Sequence, residues 1–167
     1  GKTLSHSFSK KYFEEKFKRE NINAVYENFE LNDISQVEGL FSIHSNLCGL
    51  NVTIPYKEQI IPYLDEIDEQ AKKIGAVNTI YIDKETGKMK GYNTDVYGFK
   101  QSLKPFLENQ HQRALILGTG GASKAVAYVL NELGITTAFV SRTPQLENQL
   151  SYDELNENIL ASFLLIV

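Results

Sequence analysis

Apolar positions recur along this chain at two alternating spacings, and each spacing predicts a different kind of element. Phe8, Tyr12, Phe13 and Phe17 fall about one helical turn apart and mark one face of a first helix. Residues 24–30 read as a strand, and Ile34, Val37, Leu40 and Phe41 give a second helix, with Asn32 or Asp33 as its cap. Residues 47–53 form the next strand, which Pro55 ends. A short helix is expected from Lys57, and another over 67–74, stopped by Gly75. Residues 77–82 are strand-like, 83–87 are rich in turn formers, and 88–92 return as the second arm of an antiparallel hairpin. The pattern is helical again over 95–107.

The polar stretch 108–112 has no apolar periodicity and reads as a linker, so the expected units are 1–108 and 109–167. Beyond it come a short apolar strand over 113–117, a glycine turn over 118–122, a helix over 123–133 closed by Gly134, and a strand over 136–140. This is one βαβ unit. Residues 151–158 read as a short helix and 163–167 as a third buried strand. The alternation predicts an α/β chain: an N-terminal α/β domain with a mostly parallel sheet, followed by the first half of a Rossmann-like, doubly wound domain. With three strands only, one edge of the first strand of that half-domain is expected to lie unpaired, which invites association; a homodimer is a candidate assembly.

Composition narrows the function classes. The 167 residues are 42% hydrophobic and 23% charged, with a net charge of −4 and lysines scattered among glutamates, so no basic face offers itself to nucleic acid. The single cysteine, Cys48, cannot form a disulfide within the chain, and one thiol with three scattered histidines lacks zinc-ligand spacing. No metal is expected, and a reducing cytoplasm fits best. The longest apolar run, 159–167, is far short of the roughly 20 residues that cross a membrane, and the opening residues do not read as a signal peptide.

The glycine turn carries the clearest chemistry, because it lies directly between a predicted strand and a predicted helix. Gly118 permits a tight turn, and Gly120 and Gly121 let backbone approach a pyrophosphate that would face the free N–H groups of the helix start. After the second strand, Ser141-Arg142-Thr143 stands where an NAD-preferring site usually has Asp or Glu. A guanidinium and two hydroxyls suit a 2′-phosphate, so NADP is the expected cofactor. Lys57 sits where a strand hands over to a helix, at the end of a sheet where α/β ligand sites form. Asn93-Thr94-Asp95 precedes the helix that leads to the linker, and these residue types are equally good helix caps. Asn78 is more unusual, since an amide entering a strand must find partners or face a ligand. Ser7 and Ser9 read equally as caps or as hydroxyls for a polyol. His6 shares that loop; His44 falls on an apolar helix face and His111 in the linker.

Taken together and in order, Ser5-His6-Ser7-Phe8-Ser9, Asn51-Val52-Thr53-Ile54-Pro55-Tyr56-Lys57, Gly75-Ala76-Val77-Asn78-Thr79, Asn93-Thr94-Asp95 with Gly98-Phe99, Gly118-Thr119-Gly120-Gly121-Ala122 and Ser141-Arg142-Thr143 resemble the shikimate dehydrogenase family over nearly the whole chain. The resemblance implies a first domain that binds shikimate, a second that binds NADP, and a site in the cleft between them. It implies that Ser7, Ser9, Thr53, Lys57, Asn78 and Asp95 hold the substrate, and that Lys57, with Asp95 beside it, exchanges the proton as 3-dehydroshikimate is reduced by NADPH in aromatic amino-acid and chorismate biosynthesis. Gly118, Thr119, Gly120, Gly121 and Ala122 would hold the pyrophosphate, and Ser141, Arg142 and Thr143 the 2′-phosphate. The family often has asparagine where Ser141 stands, and a second basic residue near Gln145, Leu146 and Glu147. Two other readings stay open: a quinate/shikimate dehydrogenase of broader choice, and a catalytically silent binding module. Family members open with a further strand and continue beyond the match to Val167, so this stretch reads as truncated at both ends and is expected to be inactive on its own.

Overall fold

The computed structural model describes residues 1–5 and 7–167; His6 lies outside the described residues. The chain runs through helix α1 (Phe8–Arg19), α2 (Gln36–Ile43), strand β1 (Gly49–Asn51), β2 (Glu66–Ile67), α3 (Glu69–Ile74), β3 (Thr79–Ile82), β4 (Met89–Tyr92) and α4 (Asp95–Leu103). It continues through β5 (Arg113–Leu117), α5 (Gly121–Glu132), β6 (Thr136–Ser141), β7 (Gln149–Ser151), α6 (Glu157–Ala161) and β8 (Leu165–Ile166). Two sheets result, one on each side of the turns at 108–112.

The first sheet has the order β1-β3-β4-β2. Only β2 and β4 pair in parallel; β1–β3 and β3–β4 are antiparallel. The expected mostly parallel arrangement is therefore a mixed one, because the β3–β4 hairpin forms its centre and a hairpin can pair only antiparallel. Two further expectations change for the same kind of reason. Residues 24–30 form no strand: Gly1 approaches this stretch through its N–H donated to Phe29 O at 3.5 Å and its carbonyl accepting Leu31 N–H at 2.9 Å, which is too little for a ladder. The helix expected from Lys57 is a run of turns ending in a 3₁₀ turn at Ile61–Tyr63. Pro62 explains it, since its ring and missing N–H oppose a helix passing through.

The second sheet is parallel throughout, in the order β7-β6-β5-β8. It has four strands rather than three. The short β7 pairs with β6, and the segment expected as a helix over 151–158 splits into a 3₁₀ turn at Tyr152–Glu154 and α6. The strand β5, expected to have a bare edge, is flanked by β6 and β8. In chain order this is the 3-2-1-4 arrangement of a doubly wound sheet, whose switch point lies between β5 and β8.

Helix α5 joins the two halves. One face packs Ala127 and Leu130 with Ala114 and Ile116 of β5 and Leu103 of α4. Its other face packs Ala125 and Val129 against Ile74 and Ala76, beside α3, and Val96 of α4. Lys100 of α4 meets Glu132 of α5 at 3.0 Å and holds that carboxyl below its usual range. Since Leu130 is fully buried, Leu130→Ala removes apolar area and leaves a cavity. A loss of about 2–5 kcal/mol is expected, read as a lower urea midpoint with an unchanged slope.

Candidate active site

The residue that leads into β3, the start of α4 and the turns after β1 bring three polar side chains together. Lys57 Nζ donates to Asp95 Oδ2 at 2.6 Å, and Asn78 Nδ2 donates to Asp95 Oδ1 at 2.8 Å. Asn78 is buried and acts as a hub: its Oδ1 accepts the Thr94 N–H at 2.9 Å, the Thr94 hydroxyl at 3.1 Å and the Thr79 hydroxyl at 2.9 Å. Asn93, also buried, donates to Ala76 O at 2.9 Å and accepts the Asp95 N–H at 3.1 Å, which fixes the first turn of α4. The Lys57 backbone is tied to the same place, because its carbonyl accepts the Val77 N–H at 2.7 Å.

The Lys57 side chain is 14% exposed and that of Asp95 34%. A pair removed from water this far adds little net stability, because desolvation offsets much of its attraction. Its chemistry is more telling. Among the described residues one ammonium N–H is engaged, by Asp95, and two remain, and Asn78 Nδ2 keeps one N–H beyond the bond to Asp95. The cluster therefore holds donors that a ligand oxygen can use. Loss of the hub should be felt directly: Asn78→Ala removes the partners of the Thr94 N–H and Asp95 Oδ1, and about 0.5–1.5 kcal/mol of stability should go with each hydrogen bond lost, since water reaches Thr94 and Asp95. Thermal melting checks this.

Ser7, Ser9 and Thr53 belong to the same half. They line a cavity of about 1400 Å³ bounded by α1, residues 23–31, α2 and β1, which Lys57, Asn78 and Asp95 do not line. Backbone bonds tie the two groups together: Val52 N–H donates to Asn78 O at 2.8 Å, and Tyr56 N–H to Thr53 O at 2.9 Å in the turns that carry Lys57. Tyr26, which sequence reasoning missed, sits on this cavity and donates its hydroxyl to Asn51 Oδ1 at 3.2 Å. Burial pushes the Tyr26 hydroxyl above its ordinary range, with the Ser9 hydroxyl acting the other way.

The second half supplies a separate cavity of about 440 Å³, lined by Gly118, Thr119, Gly120, Val140, Ser141, Arg142, Thr143 and Tyr152. Gly118 has φ +121, a conformation that strains any other residue, and a Cβ on Gly120 would meet nothing within 4 Å. The 12-residue helix α5 begins at the next residue. Among the described residues Arg142 makes no ion pair. A tight turn, open space before a helix start and an uncommitted guanidinium across the cavity fit a dinucleotide that bears an extra phosphate. Gly121 and Ala122 do not line this cavity. Tyr152, which follows β7, lines it and had no signal in the sequence. Among the described residues no cluster of His, Cys, Asp and Glu is placed to hold a metal, and no helix is long and apolar enough to cross a membrane.

The fold and these two cavities define a two-sheet α/β chain with a doubly wound second half. Residues 1–80 match the family described as shikimate dehydrogenase substrate binding domain. A curated relative, shikimate dehydrogenase (NADP(+)) of Carboxydothermus hydrogenoformans, is 41% identical over 155 residues, which cover 92% of this chain and 55% of the relative. The solved shikimate dehydrogenase 1 of Peptoclostridium difficile superposes with a TM-score of 0.82 at 38% identity, covering 92% of this chain and 59% of that one. The shikimate 5-dehydrogenase of Thermus thermophilus in complex with NADP(H) and shikimate gives a TM-score of 0.74 at 33% identity, covering 85% and 54%. The chain is thus similar to shikimate dehydrogenases, its residues 1–80 to their substrate binding domain, and it spans about half the length of the curated relatives it matches.

Proposed function

We propose that the protein carrying this chain interconverts 3-dehydroshikimate and shikimate with NADP, a step toward chorismate and the aromatic amino acids, with residues 1–108 holding the substrate and residues 109–167 part of the cofactor. The observation that carries the reading is the Lys57–Asp95 pair at 2.6 Å, set at the end of the first sheet beside the helix that starts from the glycine turn. The bound dinucleotide supplies or accepts a hydride at the carbon that bears the reacting oxygen.

The chain's own residues do the rest. In the reducing direction charge develops on the ketone oxygen, and Lys57 donates a proton to it; in the oxidising direction Lys57 takes that proton from the alcohol. Asp95 orients the ammonium, and Asn78 holds Asp95 while offering its spare N–H to a substrate hydroxyl. Ser7, Ser9 and Thr53 are assigned to the substrate's carboxylate and hydroxyls. The backbone of Gly118, Thr119, Gly120, Gly121 and Ala122 is assigned to the pyrophosphate, and Ser141, Arg142 and Thr143 to the 2′-phosphate. Asp95→Asn tests the orienting role: turnover should fall with little change in shikimate affinity, and an unchanged kcat would remove Asp95 from the mechanism.

A further inference from the structure

The glycines of the turn do different work, and Gly121 faces away from the phosphate cavity. A Cβ on Gly120 would meet nothing within 4 Å, whereas one on Gly121 would stand 3.0 Å from Lys57 Cβ, 3.4 Å from Lys57 Cδ and 3.4 Å from Ala76 Cβ. Gly121 has an ordinary helical backbone in α5, so nothing about its conformation requires glycine. What requires it is the approach of α5 to the stem of Lys57. That stem cannot easily retreat, because the Lys57 carbonyl is held by Val77 N–H at 2.7 Å, and the buried Ala76 closes the same face of Gly121. The next turn of α5 reinforces the approach through Lys124 Nζ, which meets Glu58 Oε2 at 2.5 Å.

We propose that Gly121 is a positioning residue for Lys57: its missing side chain lets the first turn of α5 rest on the lysine stem, so the segment assigned to the cofactor phosphates also sets where the ammonium stands. This rests on the reading of Lys57 as the proton-transfer group. Ordinary carbon contacts lie near 3.5–4.0 Å, so an added methyl would displace the lysine or the helix by about 0.5 Å. Since about 1 Å of misplacement can cost about 10² in rate, a loss near tenfold is expected.

The experiment compares Gly121→Ala, Gly120→Ala, Lys57→Ala and the Gly121→Ala/Lys57→Ala double variant in the protein that carries this chain. It reads kcat, the Kd for NADP⁺, and the side-chain NMR resonance of Lys57 in selectively labelled protein. Gly121→Ala should lower kcat about tenfold, leave the Kd within about threefold, and shift the Lys57 resonance, with no further loss once Lys57 is gone. Gly120→Ala should weaken NADP⁺ and leave that resonance in place. An unmoved Lys57 resonance in Gly121→Ala, a loss confined to cofactor affinity, or the same tenfold loss on top of Lys57→Ala would each overturn the proposal. Should Lys57→Ala itself leave turnover intact, the proton-transfer reading falls, and the resonance alone then decides whether Gly121 places the lysine.

Discussion

Lys57→Ala is expected to lower kcat by about 10² to 10⁴ while changing shikimate affinity far less, since that is the usual worth of a positioned general acid or base. The geometry sets the expectation. Nζ stands 2.6 Å from Asp95 Oδ2 with two N–H groups uncommitted among the described residues, and its stem is held against α5. Removing the side chain removes the proton donor and leaves Asp95 with the Asn78 amide. Binding should suffer little, because the other groups assigned to the substrate stay where they are. Steady-state kinetics in both directions, with shikimate binding measured separately by calorimetry, check this. Equal losses in turnover and affinity would make Lys57 a binding residue only.

Arg142→Ala should weaken NADP⁺ by about 10- to 100-fold and NAD⁺ hardly at all, because a hydrogen bond to a charged group contributes about 1.5–3 kcal/mol and only NADP⁺ carries the 2′-phosphate. Arg142 lines the same cavity as Gly118 and Gly120, beside the Thr143 N–H that donates to Ser141 Oγ at 3.2 Å. Arg142→Lys should recover only part of the affinity, since an ammonium cannot make the paired bonds of a guanidinium. Titration with both cofactors is the check. A like loss for NADP⁺ and NAD⁺ would move the 2′-phosphate elsewhere.

Much of the fold was legible because its longer elements carry their own periodicity. The aromatic spacing of α1, the apolar run of β5 and the turn formers between β3 and β4 each produced an element close to the expected bounds. What failed depended on partners distant in sequence. Residues 24–30 have the composition of a strand, but pairing is a property of two segments, and the backbone bonds that Gly1 makes at Phe29 and Leu31 do not extend into a ladder. The three residues of β7 are too few for alternation to register, and their partner β6 supplies the order. The first sheet's direction of pairing follows from its hairpin, which the sequence predicted without its consequence for the neighbouring strands.

The candidate site divides the same way. Lys57, Asn78 and Asp95 stand in motifs whose order was informative, and the structure joins them by hydrogen bonds. That Asn78 is the hub, with Thr79 and Thr94 donating to it, could not be read from spacing. Tyr26 and Tyr152 carry no local signature, since an isolated tyrosine after an irregular segment or a short strand is ordinary surface composition. That Ser7, Ser9 and Thr53 line one cavity with Tyr26 is likewise a matter of tertiary arrangement.

The most direct test of the central claim is a cofactor-reduction assay on the protein that carries this chain, with shikimate and quinate each offered against NADP⁺ and NAD⁺. Reduced nicotinamide should form fastest with shikimate and NADP⁺, and the Lys57→Ala variant should nearly abolish it; no reduction with shikimate under any pairing, or a rate that survives Lys57→Ala, would contradict the account.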